Sequence, residues 1–308
     1  MTYRLLLVLG LLLSHLAVRA QPAQPAFELQ PLAPGVYAAI DQGGRAGSNA
    51  GIVIGNRAVL VVDSLYRETA SRALLEAVRK LTDLPIRYLV NTHHHIDHVA
   101  GNRLFAEAGA TVLAQRNVPA WVQPENLRLL GGEQASAEQK EQVAQLLQPQ
   151  LTFNERMSLD LGGRRVELQH RLGHTGGDTA IWVPDAQVMF LGDLLWRRSI
   201  PNLVDANLVQ WRATLETLGL TGEDTRFVPG HGGVASAQDL REFAGYLDAL
   251  DQAVAEAQGP EETRSAAALE ALKARYAAWT YFKGLGAANV RDALAEREGR
   301  KRVPAPSR

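Results

Sequence analysis

The sequence predicts an α/β fold of two mixed β-sheets packed face to face with helices outside, a four-layer αββα sandwich. Two observations lead there. Over residues 51–114 short apolar runs alternate with amphipathic stretches, strand then helix then strand, the pattern of a layered α/β domain. Over residues 151–191 short strand-like runs follow one another with only turns between them, which suggests a second sheet.

At 308 residues the chain holds one large domain or two small ones and can bury a substantial core. Lysine and arginine total 32 against 33 aspartates and glutamates, so the balance gives no general attraction to nucleic acid or an anionic membrane. There is no cysteine, which excludes disulfides, a thiolate nucleophile, a cysteine metal ligand and a cysteine-linked lipid anchor.

Residues 1–20 have the form of a cleavable secretory signal: Arg4, an apolar run from Leu5, then Val18-Arg19-Ala20 with small residues at the cleavage positions. Cleavage is expected after Ala20, which places the mature chain in the periplasm or outside the cell, with no stable membrane insertion. Residues 21–31, with Pro22 and Pro25, read as a flexible leader.

Order is expected from Leu32. Residues 36–40 form a strand, and the Gly-rich 41–49 (Gly43, Gly44, Gly47) is either a lid or a simple turn. Residues 51–54 and 58–62 pair about the Gly55-Asn56 hairpin signal and end at Asp63. A helix over 67–81 carries Ala70, Leu74, Val78 and Leu81 on one face. Strand 86–91, a helix to about Glu107 and strand 111–114 follow. A Gln- and Glu-rich insertion over 124–149 reads as one surface helix, 133–147. Strands at 151–153, 165–170, 179–183 and 188–191 precede a helix over 207–218, a strand at 226–228 and a long helix over 237–257. The domain is bounded at 32–258, with a helical extension at 259–298 broken near Gly284-Leu285-Gly286, and a disordered basic tail at 299–308.

The chemistry concentrates at Asn91-Thr92-His93-His94-His95-Ile96-Asp97-His98, which holds four of the eight histidines on a strand-to-helix loop. His93 and His95 project from one side of an extended backbone, and Asp97 and His98 sit where the chain turns into the helix. Imidazole nitrogen and carboxylate oxygen are ligands for zinc and similar divalent ions, so the loop reads as a metal site. Three later stretches bring a ligand-type residue to a strand end or a Gly-rich loop: Gly173-His174-Thr175-Gly176-Gly177-Asp178, Leu191-Gly192-Asp193, and Pro229-Gly230-His231-Gly232-Gly233.

His93-x-His95-x-Asp97-His98, with His174, Asp193 and His231 following in order, resembles the metal-binding signature of the metallo-β-lactamase-fold hydrolases, and the likeness spans about residues 32–257. The resemblance implies that His93, His95 and His174 hold one divalent ion, that Asp97, His98 and His231 hold a second, and that Asp193 bridges them. Zinc is the first expectation, with iron or manganese as alternatives. It implies hydrolysis of a carbonyl bond by a hydroxide shared between the ions, with Asp97 also orienting the nucleophile. Asp63 would support the site from behind the ligands, or else merely cap the next helix.

The bridging aspartate is shared by the hydroxyacyl-glutathione hydrolase and lactonase branches of that family, so an ester, lactone or thioester is the expected small-molecule substrate. A β-lactam amide is the alternative. A metal-binding accessory protein of an exported quinoprotein system is a further one. Trp196, Arg197 and Arg198 are candidate substrate contacts, and Trp279, Tyr281 and Phe282 either line the pocket or pack between helices. Neither oligomeric state nor the role of the 124–149 insertion is legible.

Overall fold

The computed structural model describes residues 24–305. The expected signal segment and its cleavage point lie outside the described residues. The first half comprises β1 (Phe27–Ala33), β2 (Val36–Asp41), β3 (Ala50–Ile54), β4 (Val59–Val62), α1 (Glu68–Leu81), β5 (Ile86–Val90), α2 (Ile96–Val99), α3 (Asn102–Glu107), β6 (Thr111–Gln115), α4 (Val118–Trp121), α5 (Pro124–Leu129), α6 (Ala137–Ala144) and β7 (Leu151–Phe153). The second half comprises β8 (Arg156–Asp160), β9 (Arg165–Arg171), β10 (Asp178–Val183), β11 (Val188–Trp196), α7 (Leu208–Leu218), β12 (Arg226–His231), α8 (Ala237–Glu256), α9 (Glu261–Tyr276) and α10 (Phe282–Arg297).

Strands β1 to β7 form one sheet in chain order, and the second runs β12-β11-β10-β9-β8. The fold is the αββα sandwich that the sequence predicts. Val36, Ala38, Val53, Leu60 and Val90 of the first sheet meet Leu168, Ile181, Val183, Phe190 and Val228 of the second in a dry layer. Each Val, Leu, Ile or Phe among them, fully buried, contributes roughly 1.5–3 kcal/mol. The outer face of the first sheet is covered by α1, whose Ala70, Leu74 and Val78 fall one helical turn apart. The outer face of the second is covered by α7, α8 and the two C-terminal helices.

Strand direction places the site. β4, β5 and β6 run parallel, as do β11 and β12, so the carboxyl ends of β4 and β5 deliver Asp63 and the histidine loop to one edge. The two sheets are stitched there: the Thr179 amide donates to Thr92 O at 2.8 Å, and the Asn49 amide donates to Gly230 O at 2.8 Å.

Several boundaries differ from expectation. β1, Phe27–Ala33, pairs antiparallel with β2, so part of the expected leader is a strand. β7 pairs with β6 and belongs to the first sheet, and β8, which lacks a strong apolar signature, is an edge strand of the second. The insertion is two short helices and a 3-10 turn instead of one long helix, because Pro124 starts a helix and Gly131 turns left-handed at φ 107°. The break in the C-terminal helices falls at Tyr281, at φ 65°, and α10 runs straight through Gly284 and Gly286. Within the stretch expected to be disordered, residues 301–305 pack on the domain: Trp121 Nε1 donates to Ala305 O at 2.9 Å, and Pro304 is buried. Among the described residues no helix is long and apolar enough to cross a membrane.

Candidate metal centre

The histidine loop leaves β5 at Val90 and is pinned from below. The Asp63 carboxylate accepts the Thr92 amide at 2.7 Å and the Thr92 hydroxyl at 2.8 Å, and lies 2.8 Å from His98 Nδ1. Asp63 itself sits in left-handed backbone, φ 58°, a conformation that costs a non-glycine residue on the order of 1 kcal/mol and here aims the carboxylate into the site. With the Thr92 hydroxyl donating to Asp63, His93 Nδ1, 3.1 Å away, donates to the same hydroxyl oxygen. Both His93 and His98 therefore present Nε2 forward.

Asp193 stands at the centre. Its Oδ1 is 3.1 Å from His98 Nε2 and 3.4 Å from His231 Nε2; its Oδ2 is 3.2 Å from His174 Nε2 and 3.9 Å from His93 Nε2. Asp97 Oδ2 adds contacts of 3.5 Å to His98 Nε2 and 3.3 Å to His231 Nε2. His174 Nε2 and His95 Nδ1 converge to 2.9 Å. Two donor sets result, one of His93, His95, His174 and Asp193, the other of Asp97, His98 and His231, each with its atoms within 4.8 Å of one another. All seven residues expected as ligands thus meet at one point.

The expected strand end at Asp193 is corrected. β11 continues to Trp196, and Asp193 lies within it where Gly192, at φ 49°, breaks the register with β12. Gly230 on β12 is required by close approach, since a Cβ there would stand 1.9 Å from Asp193 Oδ1.

The donor set fits divalent ions. Buried His93 Nε2, His98 Nε2, His231 Nε2 and Asp193 Oδ1 have no hydrogen-bond partner, a cost that native interiors avoid unless something else satisfies those atoms. The electrostatics point the same way. Burial opposes ionisation of Asp97 and Asp193, yet the facing histidines hold both well below the usual carboxylate range. Burial likewise opposes protonation of His98 and His231, but the carboxylates raise both, His231 to about 9. The cluster draws in positive charge, which is what a metal supplies.

Behind the ligands lies a residue the sequence did not flag. Asp205, wholly buried, takes His95 Nε2 at 3.1 Å and His94 Nε2 at 3.4 Å, and its other oxygen is bound by Arg128. His94, His95 and Asp205 could in geometry hold a further ion, but the Arg128 guanidinium already neutralises Asp205, so the trio reads as support for His95. His94, which matched no ligand position, packs edge-on against Trp121 at 5.4 Å, and burial lowers its pKa to about 4. Asn126, also missed, accepts the Ile96 amide and donates to His94 O, fixing the loop from α5. An isolated Asp in a turn and an isolated Asn within a short helix carry no motif, so neither was legible.

A cavity of ≈ 480 Å³ opens onto Asp97, Asp193 and His231. Ile96, Leu129, Leu130, Trp196, Tyr281 and Leu285 make it largely apolar, with Asn126 and Asn202 as polar points. Trp196 stacks on His231 at 4.0 Å. Arg197 and Arg198, expected as substrate contacts, do not line the cavity: they pair with Asp239 and Glu242 of α8. β11 ends at Trp196, and the chain turns there, with Arg198 at φ 50°, carrying both side chains toward α8. Tyr281 lines the cavity, whereas Trp279 and Phe282 pack between helices. The Gly-rich loop lines no part of it. Asp41 accepts the amides of Gly44 and Ala46, and Ser48 Oγ donates to Asp97 O at 2.6 Å, so the loop is a fixed brace for Asp97.

Fold and centre together define a class: an αββα sandwich whose sheet edge carries two His and Asp donor sets suited to divalent ions. The family model for the metallo-beta-lactamase superfamily matches residues 43–231, and the chain belongs to that superfamily. The chain is 27% identical over 182 residues to a hydroxyacylglutathione hydrolase of Brucella anthropi, covering 57% of this chain and 61% of that protein. It is 25% identical over 158 residues to the hydroxyacylglutathione hydrolase of Brucella ovis, covering 51% of this chain and 52% of that one. The chain thus spans between half and two thirds of the curated relatives it matches. Among solved structures, a metallo-beta-lactamase from Pontibacter korlensis superposes with TM-score 0.58 at 19% identity, over 72% of this chain and 99% of that one. The FIM-1 metallo-beta-lactamase from Pseudomonas aeruginosa, in its mono-zinc form, gives 0.59 at 20%, over 74% and 98%. These likenesses concern the fold.

Proposed function

We propose that the protein is a binuclear hydrolase of a neutral ester, lactone or thioester with an apolar acyl group. The observation that carries the reading is the division of Asp193, whose Oδ1 faces His98 and His231 while Oδ2 faces His174 and His93, the arrangement of a carboxylate shared by two cations. His93, His95 and His174 would hold one ion and Asp97, His98 and His231 the other, zinc being first choice for this nitrogen-rich set. Two such ions supply a water of lowered pKa and an electrophile for the carbonyl oxygen.

The chain's own residues do the rest. Asp97, kept ionised by its histidine neighbours and open to the cavity, accepts a hydrogen bond from the attacking water and aims it at the carbonyl. Burial and the facing Asp41, Asp97 and Asp193 raise the Tyr281 phenol, so it stays protonated and donates to a substrate oxygen at the mouth. Leu129, Leu130 and Leu285 hold the acyl group and exclude water from it.

The relatives named hydroxyacylglutathione hydrolase support the thioester and ester class. Among the described residues no lysine or arginine lines the cavity, so nothing there would hold the carboxylates of glutathione or of a β-lactam. On the N-terminal sequence we further place the enzyme outside the cytoplasm. The deciding assay offers the purified chain a panel of acyl thioesters, lactones, aryl esters and nitrocefin, with and without chelator. Chelator-sensitive turnover of an ester-class member is expected; turnover of nitrocefin alone would replace it with the β-lactam reading, and no turnover at all would favour the accessory role.

A further inference from the structure

The C-terminal segment beyond α10 grips three elements, and each of these touches a metal-binding loop. Lys301, its side chain only 5% exposed, donates from Nζ to Ala206 O at 2.5 Å and pairs with Glu296 at 3.1 Å. Glu296 in turn accepts the Leu208 amide at 2.6 Å, so the turn that carries Asp205 is held just C-terminal to that residue. Arg302 reaches Glu125 of α5 at 3.2 Å, and Glu125 holds Arg128, which binds Asp205. Ala305 O accepts from Trp121, whose ring lies against His94 and so close to Gly176, in the His174 loop, that a Cβ there would stand 3.0 Å from it.

We propose that residues 301–305 are a strap that completes the metal centre from outside, with Lys301 as its positioning residue, acting on His95 through Asp205 and on the His174 loop through Trp121. The physical case rests on burial. Arg302 is 63% exposed, and its ion pair alone would contribute little. Lys301 is different: an ammonium taken out of water is kept there only when its partners repay desolvation, and its partners are the backbone and carboxylate that frame Asp205. Asp205 fixes which His95 nitrogen faces forward, and such outer partners govern metal affinity by about 10- to 100-fold. The inference rests on the metal-site reading above and adds that a distant, basic stretch of sequence sets the affinity of that site.

The experiment compares the full chain with a truncation after Arg300, with Lys301→Met and with Lys301→Arg. Arg300→Ala, whose partners are the exposed Glu298 and Glu261, serves as control. Zinc affinity is measured by competition with a chromophoric chelator, and the melting temperature of each metal-free protein is measured beside it. The strap predicts about tenfold or greater weakening of zinc binding in the truncation and in Lys301→Met. Lys301→Arg should recover most of it, and Arg300→Ala should match the full chain. Full-chain affinity in a folded truncation overturns the proposal. If the truncation does not fold, unaltered affinity in Lys301→Met overturns it equally. Lower melting with unaltered affinity would reduce the segment to ordinary packing. Failure of the full chain itself to bind zinc would instead refute the metal-site reading.

Discussion

Asp63 Oδ2 lies 2.8 Å from His98 Nδ1, and the same oxygen accepts the Thr92 hydroxyl that faces His93. One carboxylate therefore fixes the tautomers of two ligands, one in each donor set. Asp63→Asn keeps the size and tolerates the left-handed backbone at φ 58°, but its amide cannot accept from every donor the carboxylate serves. Metal affinity should fall about 10- to 100-fold with the fold intact. Chelator competition and far-ultraviolet circular dichroism would check it; unaltered affinity would show that Asp63 only ends its strand.

Gly230 offers a sterically cleaner probe. A Cβ there would stand 1.9 Å from Asp193 Oδ1, so Gly230→Ala must move either the strand or the central carboxylate. A displacement of about 1 Å at a reacting centre costs on the order of 100-fold. The expected result is that loss in kcat/KM, together with binding of fewer than two ions by elemental analysis. Wild-type rates would mean that Asp193 is not where the chemistry occurs.

The metal-free protein should have a stability plateau bounded on both sides. His231, raised to about 9 by Asp193 and Asp97 against its burial, stabilises the fold fully below pH 6.5, and that contribution is lost as pH rises through 9. His94 and His174 are lowered by burial to about 4 and about 3; their contribution is present above pH 6.5 and disappears as pH falls through those values. Each shift is worth on the order of 3 kcal/mol. Urea titrations of metal-free protein from pH 4 to 10 should therefore show a maximum near pH 6.5 to 7.5. Added zinc, binding the folded chain, should raise stability most above pH 6.5, where fewer protons compete for the histidines. A flat profile would contradict the buried, coupled cluster.

The seven-residue donor set was legible because the ligands sit on chemically unusual runs: four histidines in the span from His93 to His98, and Gly-flanked residues at His174 and His231. The layers were legible because β4 is a continuous apolar run, β5 is mostly apolar and β-branched or aromatic, and α1 has a clean helical stripe. What stayed hidden depends on tertiary contact. Asp205 lies 110 residues from His95 and carries no pattern of its own. Lys301 and Arg302 sit in a basic, proline-containing stretch whose composition matches disorder, and its partners come from α4, α5, α10 and the Asp205 turn. Trp196, Arg197 and Arg198 looked alike as neighbours of Asp193, but the backbone turn to φ 50° at Arg198 parts them.

That parting gives a paired test of the cavity. Leu130 lines it beside Leu129 and, on the proposed reading, would meet the acyl group of a substrate and not its carbonyl, so Leu130→Ala should remove binding common to ground and transition states. A lost apolar contact of this size is worth about 1–3 kcal/mol, which predicts a KM raised roughly 10- to 100-fold for long-chain substrates with kcat little altered. Short-chain substrates, which do not reach Leu130, should be spared. Arg198→Ala removes only an exposed pair with Glu242, its side chain 69% exposed, and should leave both constants within about twofold. The opposite pattern, with Arg198→Ala raising KM and Leu130→Ala silent, would move the substrate out of the apolar cavity and onto the face of α8.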